Sequence, residues 1–167
     1  MPQIILYIEH DEDPVFQDEK IGCYIINDIL SSSKIKEVLS LGKMVLSMGD
    51  NALKLCKEFN LDGVIKQIDT SKPVKIQLKS LRESLKKKTL GVIVPARRHE
   101  AMLAGEVEPE FITFYSDNIA SAQDVISWYN EFFLIPLAWQ MSDEEKTFDN
   151  INADFVIIKA KNFKNFG

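Results

Sequence analysis

The sequence predicts an α/β protein built as a TIM-like (β/α)8 barrel, and two observations lead to this fold class. Eight short apolar runs recur along the 167 residues, and most are continuous, which is typical of strands buried on both faces of a parallel sheet. Amphipathic segments with the helical period lie between them. Short connections between alternating strands and helices favour right-handed crossovers. Eight strands favour closure into a barrel, and an open doubly wound sheet is the alternative.

The predicted strands are apolar runs bounded by polar or turn-forming residues. Residues 4–8 read Ile-Ile-Leu-Tyr-Ile, and residues 155–158 read Phe-Val-Ile-Ile. The eight predicted strands are 3–8, 22–27, 43–48, 63–66, 89–94, 111–115, 134–139 and 154–158.

Three segments between these strands repeat apolar residues with the period of a helix and are predicted to be helical. Asp50 stands just before the first of them, where a helix N-cap is expected. The apolar stripes are Ala52, Leu55, Cys56 and Phe59, then Val74, Leu78, Leu81 and Leu85, then Ala122, Val125, Ile126, Tyr129 and Phe133.

Two parts of the chain are too short or too polar to supply a full crossover helix. Residues 9–21, between the first two strands, are acidic and contain Pro14, and residues 159–167 have no apolar stripe. This barrel usually takes about 200 to 250 residues. We therefore expect a single domain over residues 1–167, trimmed so that most of the first and last helices are missing.

The missing helices also predict a homodimer. Barrel strands are apolar on their outer face because helices normally cover it, and a bare apolar patch on a soluble protein usually marks an interface. A monomer whose neighbouring elements close the gap is the alternative. The side chains expected on the bare face are Ile5, Tyr7, Tyr24, Ile26, Phe155 and Ile157, or their alternating neighbours.

Composition excludes some partners. The net charge of −5 disfavours nucleic acid and anionic membranes. No stretch approaches the roughly 18 apolar residues that a membrane span needs, and the N-terminal residues lack the basic region of a signal peptide, so the cytoplasm is the expected location. Cys23 and Cys56 lie in apolar surroundings and are expected to be buried thiols.

From Lys43 onward the sequence resembles thiamine-phosphate synthase and TenI-type proteins, especially proteobacterial forms. Residues 60–64, Asn-Leu-Asp-Gly-Val, look like the family's Gly-Ala-Asp-Gly-Val-His strand, and residues 152–156, Asn-Ala-Asp-Phe-Val, look like the start of its eighth strand. Residues 91–94 with 98–106 resemble the fifth strand and its helix, and residues 125–138 resemble the approach to the seventh strand. The resemblance covers scaffold segments and implies the same barrel.

The resemblance also implies a chemistry. The family enzymes join a pyrimidine pyrophosphate to a thiazole phosphate, with Mg²⁺ neutralising the leaving pyrophosphate. Such a reaction needs cations around one phosphate group and backbone N–H donors around the other. In a barrel these groups lie at the carboxyl ends of the strands.

The expected site motifs are absent at those strand ends. Residues 23–28 contain no cation where the family has Gln-x-Arg-x-Lys, and Pro95 replaces a Ser or His after the fifth strand. Residues 116–118 leave no room for the family's Thr-x-Thr-Lys loop. Trp139-Gln140-Met141 replace the Gly-Gly that lets the backbone approach phosphate, and residues 159–161 read Lys-Ala-Lys where small residues are expected. One missing oxyanion-type contact costs roughly 10²–10³ in rate, so the chain is expected to lack the family's activity.

Two aspartates are the candidate remnants of a metal site. Asp50 follows the third strand and Asp69 follows the fourth, with the latter matched only across a gap. A helix N-cap is the alternative role for Asp50, and a turn is the alternative for Asp69. No cofactor is expected, and Mg²⁺ only if this site survives. His10 lies in an acidic run that could bind a divalent ion weakly or form a solvated loop, and His99 is expected to be exposed.

Five cations could meet at the mouth of the barrel and bind an anion. They are Arg97, Arg98, Lys66, Lys159 and Lys161. Guanidinium groups suit phosphate, and the alternative is a set of separate solvated surface charges.

Three hypotheses about function remain open. The first and preferred one is a catalytically inactive relative of thiamine-phosphate synthase. The second is an active thiamine-phosphate synthase or TenI-type enzyme with a rebuilt site. The third is a small phosphate- or anion-binding module that uses Arg97, Lys159 and their neighbours. A mouth filled by Trp139 would favour the first.

Overall fold

The eight strands form a closed barrel in a computed structural model that describes residues 2–117 and 119–166. Every neighbouring pair is parallel, the strands follow one another in chain order, and the eighth pairs with the first. The predicted fold class is therefore confirmed, and the open-sheet alternative is wrong. The strands are β1 (Gln3–Ile8), β2 (Ile21–Asn27), β3 (Met44–Met48), β4 (Gly63–Gln67), β5 (Thr89–Pro95), β6 (Phe111–Tyr115), β7 (Leu137–Gln140) and β8 (Phe155–Lys159).

Five α-helices follow strands two to six. The three predicted stripes lie in helices except for Phe133, which comes directly after the last helix, and each of these helices has buried residues that pack against the barrel. The first helix was not among the predicted stripes. Ser31 caps it by accepting a hydrogen bond from the Lys34 N–H at 3.2 Å, and its residues Ile35 and Val38 are buried. The helices are α1 (Ser32–Leu39), α2 (Ala52–Phe59), α3 (Val74–Leu85), α4 (Arg98–Gly105) and α5 (Ile119–Phe132).

Three connections have no α-helix. Residues 9–20 are irregular, and only a 3-10 helix, Ala160–Asn165, follows β8, as predicted for the first and last helices. Residues 141–154, between β7 and β8, form turns and irregular chain as well, which the sequence analysis did not anticipate. Leaving out three helices accounts for a barrel of this length.

The core has two layers, one on each side of the strands. Inside the barrel lie Ile5, Leu46, Ile93 and the other inward residues, and outside lie their alternating neighbours beneath the helices. Because successive side chains on a strand point to opposite faces, a strand buried on both sides must be apolar at every position. This requirement explains the continuous apolar runs of the sequence.

The bare face on which the homodimer prediction rested is absent. Ile5, Tyr7, Phe155 and Ile157 point into the barrel, and the outward Tyr24 and Ile26 are buried.

The irregular connections supply the cover that helices would have given. Phe16 packs on Phe163, Phe148 packs on Phe166, and the Tyr24 hydroxyl donates a hydrogen bond to the Phe16 carbonyl oxygen at 2.5 Å. The side of the barrel without α-helices is therefore covered by the chain itself, and no bare face supports the homodimer.

Both cysteines are free and buried, as expected. Burial raises the pKa of the Cys23 thiol to about 12, with a smaller contribution from the Asp62 carboxylate. Burial also raises the pKa of the Cys56 thiol, partly opposed by Lys88. The thiols are therefore protonated and unreactive near neutral pH.

Candidate functional site

The carboxyl ends of the strands form the mouth of the barrel, the place where sites are built in this fold. Tyr7 and Asn27 are inward residues there, on β1 and β2. The Asn27 amide donates a hydrogen bond to the Tyr7 hydroxyl oxygen at 2.7 Å. Burial raises the pKa of Tyr7, and the bond from Asn27 opposes that rise. Two uncharged side chains thus pair across β1 and β2, and β2 is the strand on which the family motif would place cations.

Asp28, directly after β2, holds the start of the helix that follows β3. Its carboxylate accepts a hydrogen bond from the Asn51 N–H at 2.7 Å, and Asn51 is the N-cap residue of α2. Gly49 has a φ of +118° and lies so close to the Asp28 carboxylate that a Cβ would stand 2.5 Å from it. The interpretation of Asp50 as the N-cap is therefore wrong, because Asn51 is the N-cap residue and its backbone N–H is bound by the Asp28 carboxylate.

Asp50 and Asp69 have different surroundings. Asp50 is exposed and lines a shallow surface pocket with Lys66, between α2 and α3. Asp69 accepts hydrogen bonds from the backbone N–H and the hydroxyl of Ser71, at 2.9 and 2.6 Å. The Ser71 bonds are the main cause that lowers the pKa of Asp69. Asp69 is thus a turn residue, the alternative given for it above.

Three of the five candidate cations, Arg97, Lys159 and Lys161, lie beside acidic groups. Arg97 contacts the Glu100 carboxylate at 3.2 Å, and the Arg98 guanidinium lies 5.3 Å from the centre of the Trp128 ring. Because β6 and β7 lie between the strand that precedes Arg97 and the strand that ends in Lys159, the two are on separate parts of the rim. Arg97 and Lys159 therefore lie at the ends of different strands, and the anion site stays a prediction.

Lys159 is the one candidate cation that faces the inside of the mouth. Its Nζ lies 4.0 Å from Glu9 Oε1 and 3.8 Å from Asp143 Oδ1, and Lys161 lies 3.6 Å from Asp143 Oδ2. Asn162 donates a hydrogen bond to Asp143 at 2.7 Å, which with the two lysines holds the pKa of that carboxyl below its usual range. The positive charge of Lys159 is balanced by acidic groups of the same chain.

Trp139 does not fill the mouth. It is fully buried on the outer side of β7, where its indole N–H lies 3.2 Å from Glu145 Oε2. The expectation that Trp139 fills the phosphate position is therefore wrong, because the alternation of the strand turns this residue away from the axis. Gln140, the next residue, is inward and half-buried.

The histidines and acidic residues of the first connection make no metal centre. Among residues 2–117 and 119–166, no three His, Cys, Asp or Glu side chains are placed to hold an ion. His10 lies 3.4 Å from Glu9, while Asp13 accepts backbone hydrogen bonds from Glu9 and His10 at 2.9 Å each. The acidic run is therefore used to shape the loop. His99 is exposed at the start of α4, as expected.

A second set of acidic residues, at the opposite end of the barrel, was missed by the sequence analysis. Asp62, Glu110 and Asp154 stand immediately before β4, β6 and β8. Each carboxylate accepts a hydrogen bond from a backbone N–H near the start of the preceding strand. The donors are Val45, Leu90 and Leu137, at 2.8, 2.6 and 2.9 Å. Each also donates its own N–H to that strand, at 3.0, 2.9 and 2.8 Å. The recurring signal, an acidic residue directly before three of the four even-numbered strands, was present in the sequence.

Two of these residues lie in the segments on which the family resemblance rests. Asp62 and Asp154 belong to residues 60–64 and 152–156, and both carboxylates hold strand ends. The resemblance is therefore concentrated in residues with a structural role in this chain.

Comparison with known proteins supports the fold. No protein-family model matches the sequence, and no curated protein sequence matches it. Among solved structures, the chain is similar to tryptophan synthase from M. tuberculosis in its aminoacrylate-bound form, with a TM-score of 0.64 and 11% identity over 95% of this chain and 83% of that one. The form bound to aminoacrylate and BRD0059 gives a TM-score of 0.68 and 10% identity over 95% and 82%. At such identity the similarity establishes a shared TIM-barrel fold.

In the part of the chain that the structure describes, no helix is long and apolar enough to cross a membrane.

Proposed function

We propose that this chain is a barrel of the thiamine-phosphate synthase and TenI type that keeps the scaffold and has lost catalysis. The observation that supports it best is that Arg97, Lys159 and Lys161 lie beside carboxylates of the same chain. Lys159 and Lys161 share Asp143, and Arg97 is paired with Glu100, all within 4.0 Å. A cation already balanced by a carboxylate offers little to an incoming phosphate.

The acidic groups near Lys159 would repel an incoming pyrophosphate. A pyrophosphate approaching Lys159 would also approach Glu9 and Asp143, which lie within 4.0 Å of the same Nζ. Like charges at such distances repel more strongly as water is excluded from the site. Leaving-group stabilisation requires cations aimed at the developing charge before the reaction begins. The geometry at Lys159 opposes that requirement.

The residues do not fit Mg²⁺ either. A magnesium site uses carboxylates on a common centre together with phosphate oxygens. Asp69 turns its carboxylate onto Ser71, whereas Asp50 lies beside Lys66 in a surface pocket. We therefore derive no step through a metal ion.

The test is an assay for pyrophosphate release. The purified chain is mixed with the pyrimidine pyrophosphate, the thiazole phosphate and Mg²⁺. The expected result is release no faster than in the absence of protein. Turnover above background that disappears in Asp50→Ala would overturn the proposal and favour an active enzyme with a rebuilt site.

A second measurement separates inactivity from phosphate binding. The melting temperature is recorded with millimolar inorganic phosphate or pyrophosphate, for the natural chain and for Lys159→Gln. The expected result is no specific shift in either protein. A rise in Tm with phosphate that Lys159→Gln removes would instead support the anion-binding module.

A further inference from the structure

A cavity opens at the end of the barrel opposite the mouth. It has a volume of about 380 Å³ and lies at the amino-terminal ends of the strands. Its walls are Ile5 on β1, Cys23 on β2, Met44 on β3, Phe111 on β6 and Phe155 on β8. Cavities of this size are within the range that holds small molecules.

Glycines keep this end of the barrel open. Gly22, which lines the cavity, contributes no side chain, and a Cβ there would meet only the Gln3 side chain, at 3.6 Å. Gly91 lets the Phe111 ring lie against the backbone of β5, since a Cβ would stand 2.3 Å from the ring. Met44, at the opening, is 44% exposed although it is a large apolar side chain. Met44 and the half-buried Phe155 are therefore the walls nearest to solvent, whereas Ile5, Cys23 and Phe111 line the interior.

Among the described residues that line the cavity, the charged one is Glu110, and its carboxylate is paired. It accepts hydrogen bonds from the Leu90 N–H at 2.6 Å and from Arg82 Nη1 at 2.9 Å. The second Glu110 carboxylate oxygen also contacts Arg82 Nη1, at 3.0 Å. The Cys23 thiol is directed to the Tyr24 carbonyl oxygen at 3.7 Å. An ionic ligand would lose its hydration here without gaining a partner, whereas an uncharged one would not.

The walls favour a ring system. The Phe111 and Phe155 ring centres are 6.1 Å apart and the ring planes are inclined by 60°, so they offer both a face and an edge to a third ring. Met44 adds a polarisable thioether, which contacts aromatic rings favourably. At the rim, the exposed Gln3 side-chain amide can donate to or accept from one polar substituent.

We propose that this cavity binds a small uncharged aromatic molecule. The site is separate from the mouth, and its existence does not depend on whether the mouth is catalytic. Recognition would come from burial of the rings against Phe111, Phe155 and Met44, with orientation from Gln3.

The first experiment uses two probes that share one ring skeleton. N-phenyl-1-naphthylamine is neutral, and 8-anilinonaphthalene-1-sulfonate adds a sulfonate to it. We expect the neutral probe to gain fluorescence and to bind at least about tenfold more tightly than the anion, because the cavity has no group to pair with the charge. Equal affinity for both probes, or no binding of the neutral one, would overturn the proposal.

Methionine methyl signals locate the site. Met44 and Met48 begin and end the same strand, so one reports on the cavity and the other on the mouth. Addition of the neutral probe should shift the Met44 methyl resonance and leave Met48 unchanged. A shift at Met48 alone, or equal shifts at both, would contradict the assignment.

Two substitutions at one exposed position complete the test. Met44→Asp places a charge at the opening and should weaken neutral-probe binding about tenfold or more. Met44→Leu keeps an apolar wall and should bind as the natural chain does. Met48→Asp, at the other end of β3, is the matched charge control and should not alter affinity. Binding that is insensitive to Met44→Asp, in protein with an unchanged circular dichroism spectrum, would sink the proposal.

Discussion

The two ends of the barrel are built on different principles. At the amino-terminal end one device recurs, in which Asp62, Glu110 and Asp154 each exchange two hydrogen bonds with the strand beside them. At the mouth each strand end has its own arrangement, from the uncharged Tyr7 and Asn27 pair to the lysines around Asp143. The repeated device lies against buried backbone, whereas the ion pairs of the mouth lie near water.

The contrast indicates where the stability of the chain is concentrated. A carboxylate that accepts a backbone N–H next to a buried strand satisfies a donor that has no other partner. An exposed ion pair exchanges good hydration for a contact that water and salt weaken, and contributes little. Loss of one of these amino-terminal carboxylates should therefore lower the free energy of unfolding, whereas loss of an ion pair at the mouth should change it little.

The largest expected effect is at Gly63, the first residue of β4. A Cβ at this position would stand 1.9 Å from the Thr89 carbonyl oxygen, and the obstacle is backbone of the neighbouring strand. Gly63→Ala should lower the free energy of unfolding by about 3 kcal/mol, because β4 and β5 would have to separate. Urea denaturation followed by circular dichroism measures it.

The control for this substitution is Gly22→Ala. Its Cβ would meet only the end of the Gln3 side chain, at 3.6 Å. The free energy of unfolding should change by no more than about 0.5 kcal/mol. Equal losses in the two variants would contradict the steric explanation.

An intermediate effect is expected at Glu110. Its carboxylate is bound by Arg82 and by the N–H of Leu90, which is fully buried. Glu110→Ala should cost about 2 kcal/mol of unfolding free energy, since the Leu90 N–H is left without an acceptor. Thermal and urea unfolding both measure it.

Glu110→Gln separates the hydrogen bond from the charge. Glutamine retains an acceptor for Leu90 and loses only the charge toward Arg82, so it should recover about half of the loss. If glutamine were as destabilising as alanine, the ion pair rather than the backbone bond would be the source of the stability.

The smallest expected effect is at the mouth. Asn162 is the main cause that lowers the pKa of Asp143, with Lys159 and Lys161 adding to it. A carboxyl whose folded pKa is lowered stabilises the protein above its ordinary pKa near 4, and that contribution is lost as the pH falls through the folded value. Asn162→Ala should raise the Asp143 pKa and cost at most a few tenths of a kcal/mol at pH 7.

Carboxyl-carbon NMR titration of Asp143 checks the direction of the change. Asn165→Ala, on the same 3-10 helix, is the control and should leave the Asp143 titration unaltered. A loss of more than about 1 kcal/mol in Asn162→Ala would abolish the contrast between the two ends of the barrel.

Local pattern was enough to place most elements. The predicted and observed bounds of β1 and β6 coincide, because a strand buried on both faces is apolar throughout and ends where polarity returns. The seventh strand was predicted to begin at Leu134, yet it begins at Leu137, and Leu134 is fully exposed. The apolar run begins before the buried part of the strand, and the sequence alone does not show which of its apolar residues are buried.

The candidate site was predicted less well, because it depends on contacts between distant residues. Asp50 was expected to cap α2, but Asn51 is the N-cap residue, and its N–H is bound by Asp28 from a distant part of the chain. Trp139 was expected in the mouth, but it lies in the outer layer because successive side chains of a strand point to opposite faces.

The sequence by itself determined the parallel barrel, the missing first and last helices and the burial of both cysteines, since each follows from the apolarity of contiguous residues. Only the tertiary structure decided that aromatic loops cover the helix-free side, that Arg97, Lys159 and Lys161 lie beside acidic groups, and that an apolar cavity opens at the amino-terminal end. Those features depend on closure of the sheet, which brings side chains together that are far apart in the chain, and on which face of a strand each one occupies.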